Sequence, residues 1–335
     1  MTDARTMSVE EIEALAARAL VAAGTSESNA APLARAVAAA ERDGIASHGL
    51  AYVPTYCEHV KCGKVDGQAA PALDRTRPAS LVVDAKTGFA HPAIDLGFVD
   101  LIKAARKNGI AGLAIRNSYN CGVLGYHTGR LAADGLLGIG FTNAPASIAP
   151  VNGRTPVIGT NPFSLAVPGG KGEAAFLIDQ SASVVAKSEI MKHAREGRPI
   201  PEGWALDPDG HATTDPELGL KGSMAPTGGY KGVGVALLVE TMAAAMSGAT
   251  LGIDASPFSG TKGGPPKTGQ FFMAMDPEAF SGGAFSARVD ALVGAFNEQP
   301  GVHLQGQGRE AARKKADRDG VSVAAKTLAA IEAHL

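Results

Sequence analysis

The sequence predicts an α/β protein in which a sheet carries a lobe of helices. Three observations point that way. Short β-branched runs alternate with helix-period stretches between residues 80 and 179, as in a parallel or mixed sheet covered by helices. Three helical stretches precede the first of those runs and two more finish the chain, so the two ends are free to pack together as one lobe. Glycine is abundant at 42 residues and aromatics are scarce at 5%, which suits tight turns and close helix packing better than an aromatic-rich sandwich.

The elements follow in order. Ser8 and Glu11 form an S-x-x-E capping box, and Ile12, Leu15, Ala16, Ala19 and Leu20 recur behind it at helical spacing as far as Gly24. A second helix with an alanine-rich face covers residues 26–43 and stops at Gly44. The stretch G-I-A-S-H-G-L-A-Y-V-P-T-Y, residues 44–56, opens a third helix that reaches about Cys62. S-L-V-V-D at 80–84 reads as a strand. His91-Pro92 starts a helix that ends at Gly109, with proline suited to the first turn. A buried-type strand at 110–116 leads into the loop N-S-Y-N-C-G at 117–122 and a helix up to Gly135. Strands at 136–142, around 156–167 and at 175–179 complete the alternation. Regular structure is sparse over 180–227. A loop then runs into a long apolar helix over 228–247. A Gly/Pro-rich loop at 256–269, long enough to be functional, precedes a strand at 270–276. Charged helices near 284–297 and from residue 322 onward finish the chain.

Composition removes several functions. The 335 residues can bury a full core and suit two domains or one large one. With 31 Lys and Arg against 33 Asp and Glu, there is no basic stripe for nucleic acid. Apolar runs are broken by charge well short of a membrane span. The opening M-T-D-A-R-T-M-S-V-E-E carries acids where a signal peptide needs an apolar core, which predicts a cytoplasmic protein. Cys57, Cys62 and Cys121 form no C-x-x-C, and no H-E-x-x-H occurs, so neither a disulfide framework nor a metal site is signalled. Asp207, Asp209 and Asp215 lack the glycine and distal glutamate of a calcium loop and read as turn acids. There is no phosphate-binding G-x-x-x-x-G-K-[ST], no G-x-S-x-G, and no G-x-G-x-x-G between a strand and a helix.

His48, between Ser47 and Gly49, is the leading acid/base candidate, because imidazole titrates nearest neutrality. Other polar residues stand where loops leave strand ends, the region where ligands gather on open α/β sheets: Asn117-Ser118, Thr142-Asn143, Thr160-Asn161 and Asp179. The same residue types also serve turns by bonding their own backbone. On these residues alone the chain is an α/β enzyme with one acid/base histidine, and a non-catalytic metabolite- or nucleotide-binding module competes with that reading.

The motifs I-A-S-H-G (45–49), N-S-x-x-x-G (117–122), T-N-A (142–144), G-T-N-P (159–162), D-Q-S-A-S-V-V-A (179–186), I-P-E-G-W-A-L-D-x-D-G (200–210), T-T-D-P (213–216) and P-x-G-G-Y-K-G (226–232) occur in the order seen in one family. The chain resembles the type-2 malate/L-lactate dehydrogenases, NAD(P)-dependent oxidoreductases. The resemblance implies a non-Rossmann mixed-sheet NAD(P)-binding domain, expected over 116–284. It also implies a discontinuous helical, substrate-side lobe from 1–115 with 285–335, and a homodimer with its active site between lobes. His48 matches the family's proton donor for hydride transfer between NADPH or NADH and C2 of a 2-oxo acid or cyclic imine, and Asp179 its orienting carboxylate. Cofactor contacts are expected at Phe176, Leu177, Ile178, Asp179, Gln180, Ser181 and Ala182, at Tyr230 and Lys231, and at Gly306, Gln307 and Gly308, with Ser118, Gly122, Asn143 and His48 alongside. Substrate contacts are expected at Ser47, Tyr52, Asn117, Thr142, Thr160, Asn161 and Lys187.

Two positions depart from the family pattern. Tyr52 stands where many members keep an arginine, a side chain able to clamp a carboxylate bidentately, and Asn120 where many keep a histidine. Losing both disfavours a doubly charged acid, with Lys187 as a possible substitute cation. The segments 43–49, 63–71, 88–93 and 266–270 are similar to the Δ1-piperideine-2-carboxylate/Δ1-pyrroline-2-carboxylate reductases, which act on a cyclic imine with one carboxylate. Malate, lactate and sulfolactate dehydrogenases are the alternative. Tyr52 departs from the reductases as well.

Overall fold

A computed structural model describes residues 4–335 of the chain. The strand β1 (Ala4–Met7) leads into α1 (Val9–Ala22), α2 (Glu27–Arg42) and α3 (Val53–Lys61). The expected capping box opens α1: Ser8 Oγ accepts from the Glu11 amide at 3.2 Å, and the Ser8 amide donates to the Glu11 carboxylate at 2.8 Å. The apolar face Ile12, Leu15 and Leu20 packs against Leu33, Val37, Leu50 and Val53, all buried. Each such side chain contributes about 1.5–3 kcal/mol on leaving water.

Next come β2 (Ala72–Arg77), β3 (Ser80–Asp84), α4 (Ala90–Asn108), β4 (Ile110–Ser118), α5 (Leu124–Ala133), β5 (Leu137–Thr142), β6 (Phe163–Pro168) and β7 (Ala174–Gln180). The stretch expected to be sparse holds α6 (Lys187–Glu196), β8 (Ala205–Leu206), β9 (Ala212–Thr213), α7 (Pro216–Lys221) and β10 (Ser223–Met224), whose three short strands pair in the order β10-β8-β9. The long apolar helix is α8 (Tyr230–Glu240), extended by a π-helical turn over Thr241–Ala245. The chain finishes with β11 (Thr268–Met275), α9 (Glu278–Ser281), α10 (Phe285–Asn297), α11 (Gln307–Asp319), β12 (Val321–Ala324) and α12 (Ala325–Glu332).

One seven-stranded sheet, ordered β2-β3-β4-β11-β5-β6-β7, organises the molecule. It is mixed. Only β3 and β4 run parallel, joined through α4, and every other neighbouring pair is antiparallel. The late strand β11 inserts between β4 and β5, so the sheet closes over a long sequence separation.

The structure adds to the sequence reading at three places. The boundary at 115/116 falls inside β4, and β2 and β3, assigned to the helical lobe, are strands of the main sheet. The helical turn at 307–319 carries thirteen residues of which only Ala316 is buried, so it gave no apolar periodicity to read. The helix expected from the 44–56 stretch begins only at Val53, after two 3-10 turns, Ala46–His48 and Leu50–Tyr52. The ends do meet: β1 pairs antiparallel with β12, Ala4 opposite Ala324, and α12 packs on α1 and α3. No helix among the described residues is long and apolar enough to cross a membrane.

Candidate active site

His48 is the last residue of the first 3-10 turn, half-buried, with Ser47 Oγ 3.0 Å from its Nδ1. Nε2 has no hydrogen-bond partner among the described residues, so this nitrogen is the free end of the ring. The turn is built around Glu41 at the end of α2. Glu41 is buried, and its Oε1 accepts from the Leu50 amide at 2.7 Å. The carboxylate fills the space where a side chain at position 49 would stand, so Gly49 is required there for lack of a Cβ. Burial pushes the Glu41 carboxyl above its ordinary range, and the Leu50 amide opposes that.

Asp179 closes β7 and faces the same corner. Its Oδ2 accepts from Arg309 Nη2 at 2.8 Å and from the Gly125 amide at 3.0 Å, at the first turn of α5. The pair is largely shielded, the two side chains 20% and 11% exposed. Ser47 makes the hydrogen bond to the imidazole, while Asp179, expected to fix its tautomer or to shape the pocket, bears on His48 through its charge. Burial pushes the His48 ionisation below its ordinary value, the Asp179 charge pulls it back up and Arg309 lowers it.

The expected cofactor segments converge. The Leu177 amide donates to the Gln305 carbonyl at 3.1 Å, which lays the 304–308 segment along the outer edge of β7. Gly306, with φ +96°, makes that approach possible, since a Cβ would stand 3.2 Å from the Leu177 amide nitrogen. Gln180 to Ala186 and Thr227, Gly228, Lys231, Gly232 and Val235 line one open cavity of about 540 Å³, a size ordinary for small-molecule sites. Its floor is the N-terminus of α8, preceded by Gly228 and Gly229, both at φ +63°. Tyr230 lies 72% exposed and does not line the cavity.

Several expected contact residues are spent elsewhere. Asn117 donates to both oxygens of Asp84 at 3.0 Å, holding β3 to β4. The Ser118 hydroxyl is buried and meets only the Tyr119 carbonyl. Asn120 accepts from the Gly122 amide at 2.6 Å, an Asx turn, and Gly122 backs onto His91. Thr142 Oγ1 reaches the Gly269 carbonyl and accepts from Gln270. Asn143 and Asn161 are buried and both donate to the Glu240 carboxylate, at 3.4 and 2.7 Å. The Thr160 carbonyl accepts from the Ala182 amide at 2.8 Å, tying the G-T-N-P turn to the cofactor segment. Lys187 opens α6, exposed and without an ion pair among the described residues.

Tyr52 belongs to an aromatic wall. Its ring lies 4.7 Å from Tyr56, its hydroxyl donates to the Phe258 carbonyl at 3.4 Å, and burial pushes its ionisation up to about 12. The same Gly/Pro loop is pinned from below. Lys64 Nζ, fully buried, donates to the Pro257 and Gly260 carbonyls at 2.6 and 3.0 Å, and His59 bonds the Gly260 carbonyl and the Tyr119 hydroxyl.

Sequence reading missed Glu41, Glu240, Arg309 and Lys64. For Glu240 a signal existed, a lone acid in an apolar helix, V-A-L-L-V-E. For Arg309 the adjacent G-Q-G segment was noted, but not the side chain that follows it.

Known proteins share the sequence and fold of this chain over nearly its whole length. The family model for malate/L-lactate dehydrogenase matches residues 7–332. The chain is 42% identical over 313 residues to a (2R)-3-sulfolactate dehydrogenase (NADP(+)) of Chromohalobacter salexigens, covering 93% of this chain and 92% of that one. It is 39% identical over 330 residues to a Δ1-pyrroline-2-carboxylate reductase of Ancylobacter novellus, covering 98% and 96%. The crystal structure of Δ1-piperideine-2-carboxylate reductase from Pseudomonas syringae pvar. tomato superposes with a TM-score of 0.93 at 32% identity, covering 99% of this chain and 100% of that one.

Proposed function

The chain belongs to the malate/L-lactate dehydrogenase family, and from that premise we propose that it is a cytoplasmic NAD(P)H-dependent reductase of a cyclic imino acid. Its substrate is Δ1-pyrroline-2-carboxylate or Δ1-piperideine-2-carboxylate, and its product L-proline or L-pipecolate. The observation that carries this reading is the set of charges bearing on His48. They are Asp179 and Arg309, already paired with each other, while position 52 holds a phenol. An acid with two negative charges would need a further free cation beside the ring, and an imine with one carboxylate does not. The two reductases among the relatives support the same choice. The free thiols of Cys57, Cys62 and Cys121 suit a reducing compartment.

NADPH or NADH supplies the hydride to C2. The residues fit such a cofactor: the cavity has the size, the N-terminus of α8 with Lys231 offers amides and a cation to a pyrophosphate, and β7 with the 304–308 segment forms a polar edge. His48 holds the proton. Ser47 fixes its Nδ1, and Nε2 delivers to the imine nitrogen, or to a carbonyl oxygen in the oxo-acid reaction. Asp179 favours the protonated ring, and Arg309 keeps Asp179 in place. The aromatic wall of Tyr52, Tyr56 and Phe258 excludes water from the corner.

A second reading has one observation in its favour: the relative at 42% identity is a sulfolactate dehydrogenase. Oxidation of NADPH and NADH against the two cyclic imines, sulfopyruvate, oxaloacetate and pyruvate separates the readings. The imines should turn over fastest. Higher kcat/KM on sulfopyruvate or oxaloacetate transfers the assignment to a 2-hydroxy-acid dehydrogenase.

The active form is a homodimer. On α8 and just past its extension Leu237, Leu238 and Met246 are each more than half exposed, apolar surface that a second copy would cover. Sedimentation should give twice the chain mass, and Leu238→Asp should shift it toward the monomer. A monomeric wild type removes this assignment.

A further inference from the structure

We propose that Arg313 is a positioning residue for His48: its ion pair with Asp43 fixes the turn carrying the imidazole to the same helix face that holds Asp179. The inference rests on the reading of His48 as the proton donor, and it is independent of the substrate.

Arg309 and Arg313 stand four residues apart on α11 and share a face. Arg309 reaches Asp179 at the end of β7. Arg313 reaches Asp43 with two nitrogens, Nε to Oδ1 at 2.5 Å and Nη2 to Oδ2 at 2.9 Å, the planar fork meeting a carboxylate edge-on. Asp43 caps the C-terminus of α2 five residues ahead of His48, and its side chain is only 7% exposed. One turn of helix, about 6 Å of rise, therefore sets the spacing between the carboxylate on the sheet and the carboxylate that anchors the His48 turn. The helix is seated at two places. It starts at Gly306, pressed against Leu177 of β7, and packs along α2. Glu41 holds the far side of the same turn through the Leu50 amide. The turn is thus clamped from α2 on one flank and from α11 on the other, and only the α11 clamp also touches Asp179. Arg42–Asp317, one turn further along, is exposed on both sides and adds little.

The test uses Arg313→Met, Arg313→Lys and Asp43→Asn in the full-length enzyme. Steady-state kinetics are measured with whichever acid the wild type reduces. The His48 ring is titrated by NMR without substrate, its signal assigned from its loss in His48→Gln. Arg313→Met should lower kcat about 10–100-fold, the usual result of displacing a catalytic group by an ångström, with KM for the cofactor changed less than about threefold. The His48 ionisation should move up toward its ordinary value as the loosened ring meets water. The groups facing the ring, Asp179 and Arg309, are unchanged in this variant. Arg313→Lys should recover most of kcat, and Asp43→Asn should reproduce the loss. Wild-type kcat and an unmoved titration in Arg313→Met overturn the proposal, as does a loss of activity that follows melting temperature alone. Failure of the substrate reading is distinguishable, because a wild type that ignores imines but reduces an oxo acid leaves the titration result intact.

Discussion

Two carboxylates, the half-buried Asp179 of β7 and the buried Glu240 of α8, have opposite completeness. Glu240 has every oxygen met by protein: Oε1 accepts from Asn143 and the Gly252 amide, Oε2 from Asn161. It joins the end of β5, the turn before β6, α8 and the loop after it. Asp179 has Oδ2 met by Arg309 and Gly125 and leaves Oδ1 with no partner among the described residues. His48 beside it keeps Nε2 free as well. A satisfied polar centre holds a fold together, whereas a centre left partly open to a cleft has hydrogen-bonding capacity for a ligand. The motifs T-N-A and G-T-N-P, read from sequence as contact residues, belong to the satisfied centre.

Breaking the open centre should have the largest effect. His48→Ala should lower kcat by about 10²–10⁴-fold, the usual share of a general acid, with the melting temperature within a few degrees of wild type. Near-normal turnover would take His48 out of the mechanism.

The rule has a challenger in the pair His91 and His127, whose rings lie 5.4 Å apart beneath the 117–122 loop. Neither nitrogen of His91 has a partner, yet the ring is sealed, 2% exposed. Unmet and sealed, it can serve no ligand and is simply held neutral. Burial drives the His91 ionisation down to about 4, and His127 goes the same way. The unfolded chain takes up the proton near 6.5 while the folded chain resists it. The contribution to stability is therefore complete above about pH 6.5 and is lost as pH falls toward 4. His91 alone should cost on the order of 3 kcal/mol over that window. Chemical denaturation at pH 7 and pH 4.5, with His91→Phe as comparison, measures it, and equal pH slopes would refute the buried-neutral assignment.

Glu240→Gln sharpens the contrast from the satisfied side. An amide nitrogen placed against the Asn161 amide should reduce unfolding free energy by about 2 kcal/mol while kcat per folded molecule stays within about threefold. A large kcat loss at unchanged stability would move Glu240 into the chemistry. Asn117→Ala should have the smallest effect, about 1 kcal/mol of stability through Asp84 and no measurable change in KM for substrate. A raised KM would return Asn117 to the substrate site.

Legibility in the sequence tracks the range of the interaction. The capping box at Ser8 was readable because its partners lie three residues apart, and the apolar faces of α1 and α2 because burial repeats every turn. His48, the segment around Asp179 and the 306–308 segment stand out in the sequence because they lie in local motifs. The structure sets the last two segments side by side through the Leu177–Gln305 contact. Glu240 and Arg309 were not found, since their partners lie 97 and 130 residues away. The strand β2 escaped because an edge strand such as A-L-D-R-T-R guards itself with charge and shows no clean alternation. The order of the sheet was illegible for a related reason: β11 enters beside β4 from 150 residues downstream, Thr268 opposite Ser118, an insertion that no local pattern announces.

The pairing of β1 with β12 has a consequence for how the enzyme comes into being. The lobe formed by residues 4–61 lacks its closing strand, its last helix and the arginines of α11 until β12, α12 and α11 are in place. Nascent chains arrested before that point would carry the imidazole without its setting. The setting of the imidazole is therefore completed only where segments far apart in the chain have met.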